Sequence, residues 1–228
     1  LLSPMHTAEP GVPALAAARP DFQGYGEGWI VSSYRGEKLV WHTGGWPGMV
    51  SRVTLVPGRN LGVVVLTNQE SGAAFNAITM ELLDSVLRPA ERTDWIGAYA
   101  PASDKARGQA ERHWREREQA RATGSRPSLP LAGYAGTYRD AWYGDVEVRE
   151  QRGRLVMRFT RTPLLVGELQ HWQHDTFLVK WNDRTLNGDA FVSFALDPDG
   201  AVREARMEAA SEMTDFSFDF QDLLLKRQ

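Results

Sequence analysis

Three absences limit what this sequence can be. The 228 residues include no cysteine, which excludes disulfide bonds and thiolate chemistry. No apolar run approaches the roughly 18 residues that a membrane-spanning helix needs. The formal net charge is −3, so nucleic acid is not an expected partner. We also predict no cofactor and no bound metal. The chain begins at Leu1 without a signal-like segment, and we expect a mature or truncated product.

The N-terminal third has the pattern of an antiparallel sheet followed by one helix. Residues 1–24 are rich in proline and alanine and indicate a loop. The runs "GWIVSSY", "KLVWHT", "MVSRVTLV" and "LGVVVLTN" then follow, with short turns of Gly, Pro and Asn between them. The last run is apolar on both faces, which indicates a strand covered on both sides. The spacing of apolar residues over Gly72–Leu87 predicts a helix packed on the sheet.

A charged segment separates this sheet from a region of strict alternation. The segment carries i,i+4 pairs such as Glu111 with Arg115 and only a narrow apolar stripe, which predicts an exposed linker helix ending near Gly124. From Leu131 the period is two, and seven or eight short strands predict a small antiparallel barrel. The fold class is therefore α+β: a partial antiparallel sheet with a C-terminal helix, a charged linker helix and a barrel. The predicted parts are residues 1–90, 91–130 and 131–228.

The ordered blocks of the first part resemble the C-terminal portion of the serine beta-lactamase and penicillin-binding-protein superfamily. Within this superfamily, the blocks resemble the class C-like serine hydrolases, of peptidase S12 type. The resemblance runs from "YGEGW" (Tyr25–Trp29) through "HTGG" (His42–Gly45), two strands and the helix to Leu87. The triad His-Thr-Gly alone can recur by chance. The resemblance is specific because the blocks occur in the same order and at the same spacing. Further on, "YAGTY", "HWQHDTF" and "DFSFDFQDLLLKR" resemble the lipocalin-like β domain appended to many such hydrolases, and Asp94-Trp95 resembles its connector.

The resemblance makes His42, Thr43, Gly44 and Gly45 the candidate catalytic residues. A glycine-rich strand end lets a substrate lie against the backbone without a Cβ in the way. The N–H of Gly45 would be one of two oxyanion donors, and Thr43 Oγ1 would bind a substrate carboxylate or carbonyl. His42 would replace the usual lysine and help proton transfer, since histidine as a residue type changes charge near neutral pH. The alternative is an ordinary hairpin corner, with His42 bonded to a neighbouring carbonyl.

The other motifs of the family are missing from these 228 residues. No serine is followed three residues later by lysine, and no tyrosine begins Tyr-x-Asn or Tyr-x-Ser. We therefore expect the C-terminal portion of a larger hydrolase, truncated naturally, by engineering or by proteolysis. Its expected partners are the upstream catalytic portion of the same protein and a small peptide-like, ester or beta-lactam substrate. The resemblance implies a periplasmic or secreted protein, and a homo-oligomer is possible.

Two other readings stay open at this point. The barrel from Leu131 could be a non-catalytic binding or oligomerisation module, although aromatic residues are available to fill its interior. Those residues are Phe159, Phe177, Trp181, Phe194, Phe216 and Phe218. A metal site at His171, His174 and Asp175 is a further alternative, but residues three apart in a strand point to opposite faces.

Overall fold

The computed structural model describes residues 3–4 (as a backbone strand), 20–46, 48–215 and 217–228. These residues form two compact units, one ending at Gly108 and the other spanning Gln109–Gln228. The division falls inside a long helix, and the predicted boundaries at 90/91 and 130/131 stay predictions. Within the described part of the chain, no helix combines the length and hydropathy needed to cross a membrane.

The first unit is built on an antiparallel sheet whose six described strands follow one another in chain order. They are β1 (Ser3–Pro4), β2 (Gln23–Gly26), β3 (Trp29–Tyr34), β4 (Glu37–Trp46), β5 (Met49–Val56) and β6 (Leu61–Thr67). The four predicted strands are confirmed as β3 to β6. The predicted loop over residues 1–24 is wrong where β1 and β2 form, because both segments pair into the sheet. The rest of that stretch up to residue 19 lies outside the described residues.

One face of the sheet is covered by the predicted helix, α1 (Gly72–Leu87). Ser71 caps it: its side-chain oxygen accepts the N–H of Ala74 at 3.2 Å, which satisfies one of the amide donors left free at a helix start. The inner side of α1 and the sheet share one apolar core, which includes Leu39, Val56, Val63, Val65, Phe75, Met80 and Leu83.

The other face of the sheet has no cover in the described part of the chain. Val63 and Val65, beneath α1, are 8% and 6% exposed, whereas Val64 and Leu66 are 66% and 76% exposed. Leu55 and Met49 of β5 continue this apolar surface, and the four residues are called the open face below. The residues of β6 suit a strand covered on both sides, but only one side is covered here.

The charged segment contains the predicted helix, α2 (Trp95–Ala120). The helix ends at Ala120 instead of near Gly124, and Trp95 and Ala98 in its first turn, before the charged run, are buried. Its first residue, Trp95, is fully buried, and the indole N–H donates to the buried carboxylate of Asp84 at 2.9 Å. Asp84 also accepts the Tyr34 hydroxyl at 2.6 Å, and burial, followed by this bond, raises the pKa of Tyr34.

The second half of α2 packs on the outer wall of the barrel through Trp114. The ring centroid of Trp114 lies 5.5 Å from that of Trp172 and 6.3 Å from that of Phe191. The guanidinium of Arg117 lies 4.9 Å from the centroid of Phe191, a cation–π contact. Most of the remaining surface of the helix is exposed, as its charge pattern predicted. A single tryptophan in a narrow stripe therefore anchors an otherwise solvated helix.

The second unit contains the predicted antiparallel barrel, which is closed and has eight strands. A short helix, α3 (Leu131–Tyr134), precedes it. The strands are β7 (Gly136–Asp140), β8 (Gly144–Gln151), β9 (Arg154–Phe159), β10 (Val166–Gln173), β11 (Thr176–Trp181), β12 (Ala190–Leu196), β13 (Val202–Ala209) and β14 (Leu224–Arg227). Pairing of β14 with β7 closes the barrel, and closure removes free edges from its sheet.

Side chains of the barrel fill its interior. Phe159, Phe177, Trp181 and Phe194 are all buried there, as predicted. Phe218 packs against this core while partly exposed, and Phe216 lies outside the described residues. Phe159 packs edge to face on Trp181, and Phe177 on Phe194, a favoured arrangement for buried rings. A filled interior does not favour the alternative of a ligand-binding barrel.

The strand predicted at "DFSFDF" is wrong. Asp215 Oδ1 accepts the backbone N–H of Ser217 at 2.9 Å, a local bond that turns the chain instead of extending it. Phe220 is buried in a short 3₁₀ helix, Phe220–Asp222, and the last strand of the barrel forms only after it. Alternating phenylalanines suit a strand, but the aspartates between them support turns.

Candidate functional site

The four candidate residues, His42 to Gly45, all lie in the C-terminal half of β4. The turn predicted between "KLVWHT" and "MVSRVTLV" begins later than expected, because Gly44 and Gly45 stay in the strand and pair with residues of β5. The chain reverses only after Trp46, where Gly48 has a φ of 87°. Glycine favours turns, but inside a strand it also marks places where another backbone or a ligand can approach closely.

The strand β4 runs antiparallel to β3 and continues beyond Trp29, the first residue of β3. Pairing between the two strands stops at Trp41, which lies opposite Ile30. The strands are joined by the two-residue loop Arg35-Gly36, whose φ angles of 48° and 79° are those of a type I′ turn. The residues that flank such a loop exchange both hydrogen bonds. Every second residue of β4 from Glu37 onward therefore directs its N–H and C=O toward β3.

Two of the candidate residues lie in the part of β4 that has no β3 residue beside it. In this alternation Thr43 and Gly45 direct their backbone groups toward the vacated side, whereas His42 and Gly44 bond to β5. No strand in the described part of the chain pairs with this segment, which is called the free edge below. The N–H of Gly45 is thus open to a ligand, at the position where the resemblance implies an oxyanion donor.

His42 is half-buried at the start of the free edge. Its Nδ1 lies 2.6 Å from the carbonyl oxygen of Thr43, and its ring centroid lies 6.0 Å from that of Tyr25. By strand alternation it belongs to the sheet face of Val53 and Val64, opposite α1. A bond to a neighbouring carbonyl is what a purely structural histidine would make, but this bond engages only one of the two ring nitrogens.

Thr43 lies on the other face of β4, directly opposite Arg52 of β5. Both line a cavity of about 370 Å³ between the sheet and the two helices of the first unit. Polar side chains from three further elements reach the same cavity: Ser32, Asn76 and Tyr99. The cavity therefore places a hydroxyl, an amide and a cation on the α1 side of the free edge.

Arg52 is a buried cation. Its side chain donates to Thr54 Oγ1 at 3.0 Å and to Asn76 Oδ1, and its guanidinium carbon lies 4.1 Å from the centroid of Trp41. It forms no ion pair with a carboxylate among the described residues. Burial lowers the pKa of the guanidinium to about 10, so Arg52 stays charged at neutral pH. A buried cation held only by neutral groups favours an anionic ligand, since charge pairing offsets the cost of desolvation.

Arg52, Asn76 and Tyr99 were not among the residues chosen from the sequence. The signal for Arg52 was present in "MVSRVTLV", where Val50, Arg52, Thr54 and Val56 share the face that packs on α1. An arginine in an inward-facing apolar row must be buried, and a buried charge needs a partner. Asn76 and Tyr99 lie on separate helices, and no local pattern connects them with β4.

Two residues of the alternative metal site, His171 and Asp175, have other bonds. His171 Nε2 lies 3.0 Å from the carbonyl oxygen of His174, and Asp175 accepts hydrogen bonds from Ser128 and from the Tyr134 hydroxyl. Searching the described residues for three or more side chains able to hold a metal ion together yields no such group.

Two family models match the chain, one in each part. Residues 5–88 match the model of the Beta-lactamase family. Residues 120–227, which contain the barrel, match a domain of unknown function, DUF3471. The first match contains all four candidate residues and Arg52.

Two curated relatives are hydrolases from Aspergillus species. The chain is 30% identical over 188 residues to "Unguisins hydrolase ungD'" of Aspergillus campestris, an alignment that covers 77% of this chain and 34% of the relative. It is 30% identical over 142 residues to "Unguisins hydrolase ungD" of Aspergillus violaceofuscus, covering 59% of this chain and 25% of the relative. The chain thus spans about a third and a quarter of these relatives.

Among solved structures, the C-terminal domain of penicillin binding protein Rv0907 matches with a TM-score of 0.35 and 20% identity, covering 46% of this chain and 91% of that domain. The family match and the hydrolase relatives confirm the beta-lactamase-like resemblance of the N-terminal part. The N-terminal part of the chain is related to the Beta-lactamase family and to hydrolases, and a closed eight-stranded barrel follows it.

Proposed function

We propose that the first unit forms one wall of the active site of a penicillin-binding-protein-like serine hydrolase, of peptidase S12 type, that cleaves an amide or ester through an acyl-enzyme. The observation that carries this proposal is the free edge of β4. It combines an unpaired Gly45 N–H with His42 on one face of the strand and Thr43 beside Arg52 on the other. The Beta-lactamase family match over residues 5–88 supports the same reaction class.

Each residue of this wall has a distinct role in the proposal. The N–H of Gly45 donates to the oxyanion that forms when a substrate carbonyl is attacked. Thr43 Oγ1 binds a carboxylate or carbonyl of the substrate, and the charge of Arg52 behind it favours the carboxylate. Gly44 has no Cβ, so it leaves room for the substrate beside the strand. His42 transfers protons at the opposite face of the edge.

The nucleophile, in this proposal, is a serine of a Ser-x-x-Lys segment outside these 228 residues. The absence of that motif from these 228 residues supports this, as do hydrolase relatives of which the chain spans about a third and a quarter. Their name, unguisins hydrolase, supports hydrolysis as the reaction. Peptide-like amides, esters and beta-lactams remain the proposed substrate classes. A periplasmic or secreted location is proposed from the resemblance alone.

Covalent labelling tests the proposal. The 228-residue chain is expected to remain unlabelled by a fluorophosphonate and by a fluorescent penicillin. A longer polypeptide that joins it to its Ser-x-x-Lys segment is expected to be labelled at that serine. Intact mass and peptide mapping would locate the adduct. Labelling of any residue within the 228 would contradict the assignment of the nucleophile, and a longer protein that resists both probes would contradict the hydrolase assignment.

Replacing His42 by alanine in the longer hydrolase is expected to lower kcat/KM by about 10–10³, the range of a positioned acid–base or electrostatic group. Steady-state kinetics with an amide and an ester substrate would measure it. Lys38→Ala is the matched control, since Lys38 lies on the same face of β4 but away from the free edge. Unchanged kinetics in the His42 variant would leave His42 with a structural role only.

A further inference from the structure

The hydrogen bond of His42 determines which ring nitrogen carries its proton. The partner of Nδ1, at 2.6 Å, is the carbonyl oxygen of Thr43. A carbonyl oxygen has no proton to donate, so the bond requires Nδ1–H as the donor. A neutral imidazole carries one proton, and Nε2 then has a free lone pair.

The second nitrogen of His42 has no hydrogen-bond partner in the described part of the chain. The ring is half-buried, with Tyr25 as its aromatic neighbour, and begins the free edge that also carries Thr43 and Gly45. Among the residues that the structure describes, Tyr25 is the titratable side chain in ring contact with it. Backbone geometry thus holds the imidazole by one nitrogen and leaves the other as an acceptor. A lysine ammonium at this position could only donate until it lost a proton.

We infer that neutral His42 accepts a proton through Nε2, and that the carbonyl of Thr43 is the positioning group that selects this tautomer. The reaction in which it does so rests on the proposed function. In the second half of the acyl-enzyme route, a water gives its proton to Nε2 while its oxygen bonds to the carbonyl carbon of the acyl-enzyme. The π electrons of that carbonyl move to the oxygen facing the N–H of Gly45. When the intermediate collapses, Nε2–H returns the proton to the serine oxygen as its bond to carbon breaks.

Nitrogen-15 NMR of the 228-residue chain tests the tautomer without any need for activity. At pH 8, where histidine side chains are ordinarily neutral, long-range proton–nitrogen spectra distinguish a protonated from an unprotonated ring nitrogen. His42 is expected as the Nδ1–H form. His171 is an internal control of opposite sense, since its Nε2 donates to the carbonyl of His174. The signals of His42 are those that disappear in the spectrum of His42→Asn. Thr43→Ala keeps the backbone carbonyl and should leave the tautomer of His42 unchanged. An Nε2–H form or a mixture at His42 overturns the inference.

The variant His42→Asn distinguishes a role of His42 as a base from a purely structural role. In His42→Asn the side-chain amide can still donate from near the Nδ1 position, but the acceptor at Nε2 is gone. In the longer hydrolase this variant is expected to be as slow as His42→Ala. Rates restored to the wild-type level by asparagine would overturn the base role while leaving the hydrolase assignment intact. A longer protein without activity in any form would contradict the proposed function, and the tautomer would still be decided by the spectra.

Discussion

Replacing Gly45 by proline is expected to lower kcat/KM of the longer hydrolase by about 10²–10³, the loss that follows removal of one oxyanion donor. Proline has no backbone N–H, so the donor proposed for the oxyanion disappears. The fold should survive, because the N–H of Gly45 points to the free edge and takes no part in pairing with β5. Proline is tolerated in strands at positions where the N–H faces away from a neighbour.

The matched control is Gly45→Ala, which adds a methyl group but retains the N–H. We expect the alanine variant to lose clearly less activity than the proline variant. Kinetics with one ester substrate, together with thermal melts of both variants, would make the comparison. Equal losses in the two variants with unchanged melting temperatures would assign the effect to crowding of the substrate, and the N–H of Gly45 would not be an oxyanion donor.

The regular elements of this protein could be predicted because their hydrophobic patterns are local. The strands β3 to β6, the helix α1 and the closed barrel all follow from alternation and helical spacing. Chain turns were less predictable where two local preferences compete. Gly44 and Gly45 suggest a turn but remain in β4, held by pairing with β5, and Phe218 and Phe220 suggest a strand but lie in a segment that Asp215 turns.

The candidate site was predictable only where the residues are contiguous. His42 to Gly45 form one motif on one strand, so one side of the site could be chosen from the sequence. Arg52 reaches Thr43 through the register of two strands, and Asn76 and Tyr99 come from helices that no sequence pattern relates to β4. The free edge was also hidden, since it depends on where β3 stops pairing. Such features arise from register and packing, which are tertiary properties.

Separating the chain at the boundary between its units is expected to give two pieces of opposite behaviour. Residues 109–228 should be monomeric and melt cooperatively, because a closed barrel leaves no free strand edge. The α2 residues in this piece also cover an outer aromatic cluster, with Trp114 packed on Trp172 and Phe191. The shorter piece 131–228 lacks that cover. It should fold as well, but at a lower melting temperature.

Residues 1–108 are expected to self-associate or aggregate. The open face presents Val64 and Leu66 to water, and each large apolar side chain left exposed forgoes roughly 1.5–3 kcal/mol of burial. In the described part of the chain β6 is also an edge strand, and its sequence "LGVVVLT" has no charge and no proline to discourage pairing with another chain. Either feature alone would favour association, and here they coincide.

Size-exclusion chromatography with light scattering, combined with thermal melts, would test these expectations. In residues 1–108 the double variant Val64→Thr with Leu66→Thr keeps β-branched residues in the strand but makes the open face more polar, so the monomer fraction should rise several-fold. Ile96→Gln is the matched control, because Ile96 is 68% exposed in the same unit but lies on α2. It should leave the association unchanged. A monomeric, cooperatively melting 1–108 would show that the open face needs no cover, and a rise in monomer with the Ile96 variant alone would place the association on the helices.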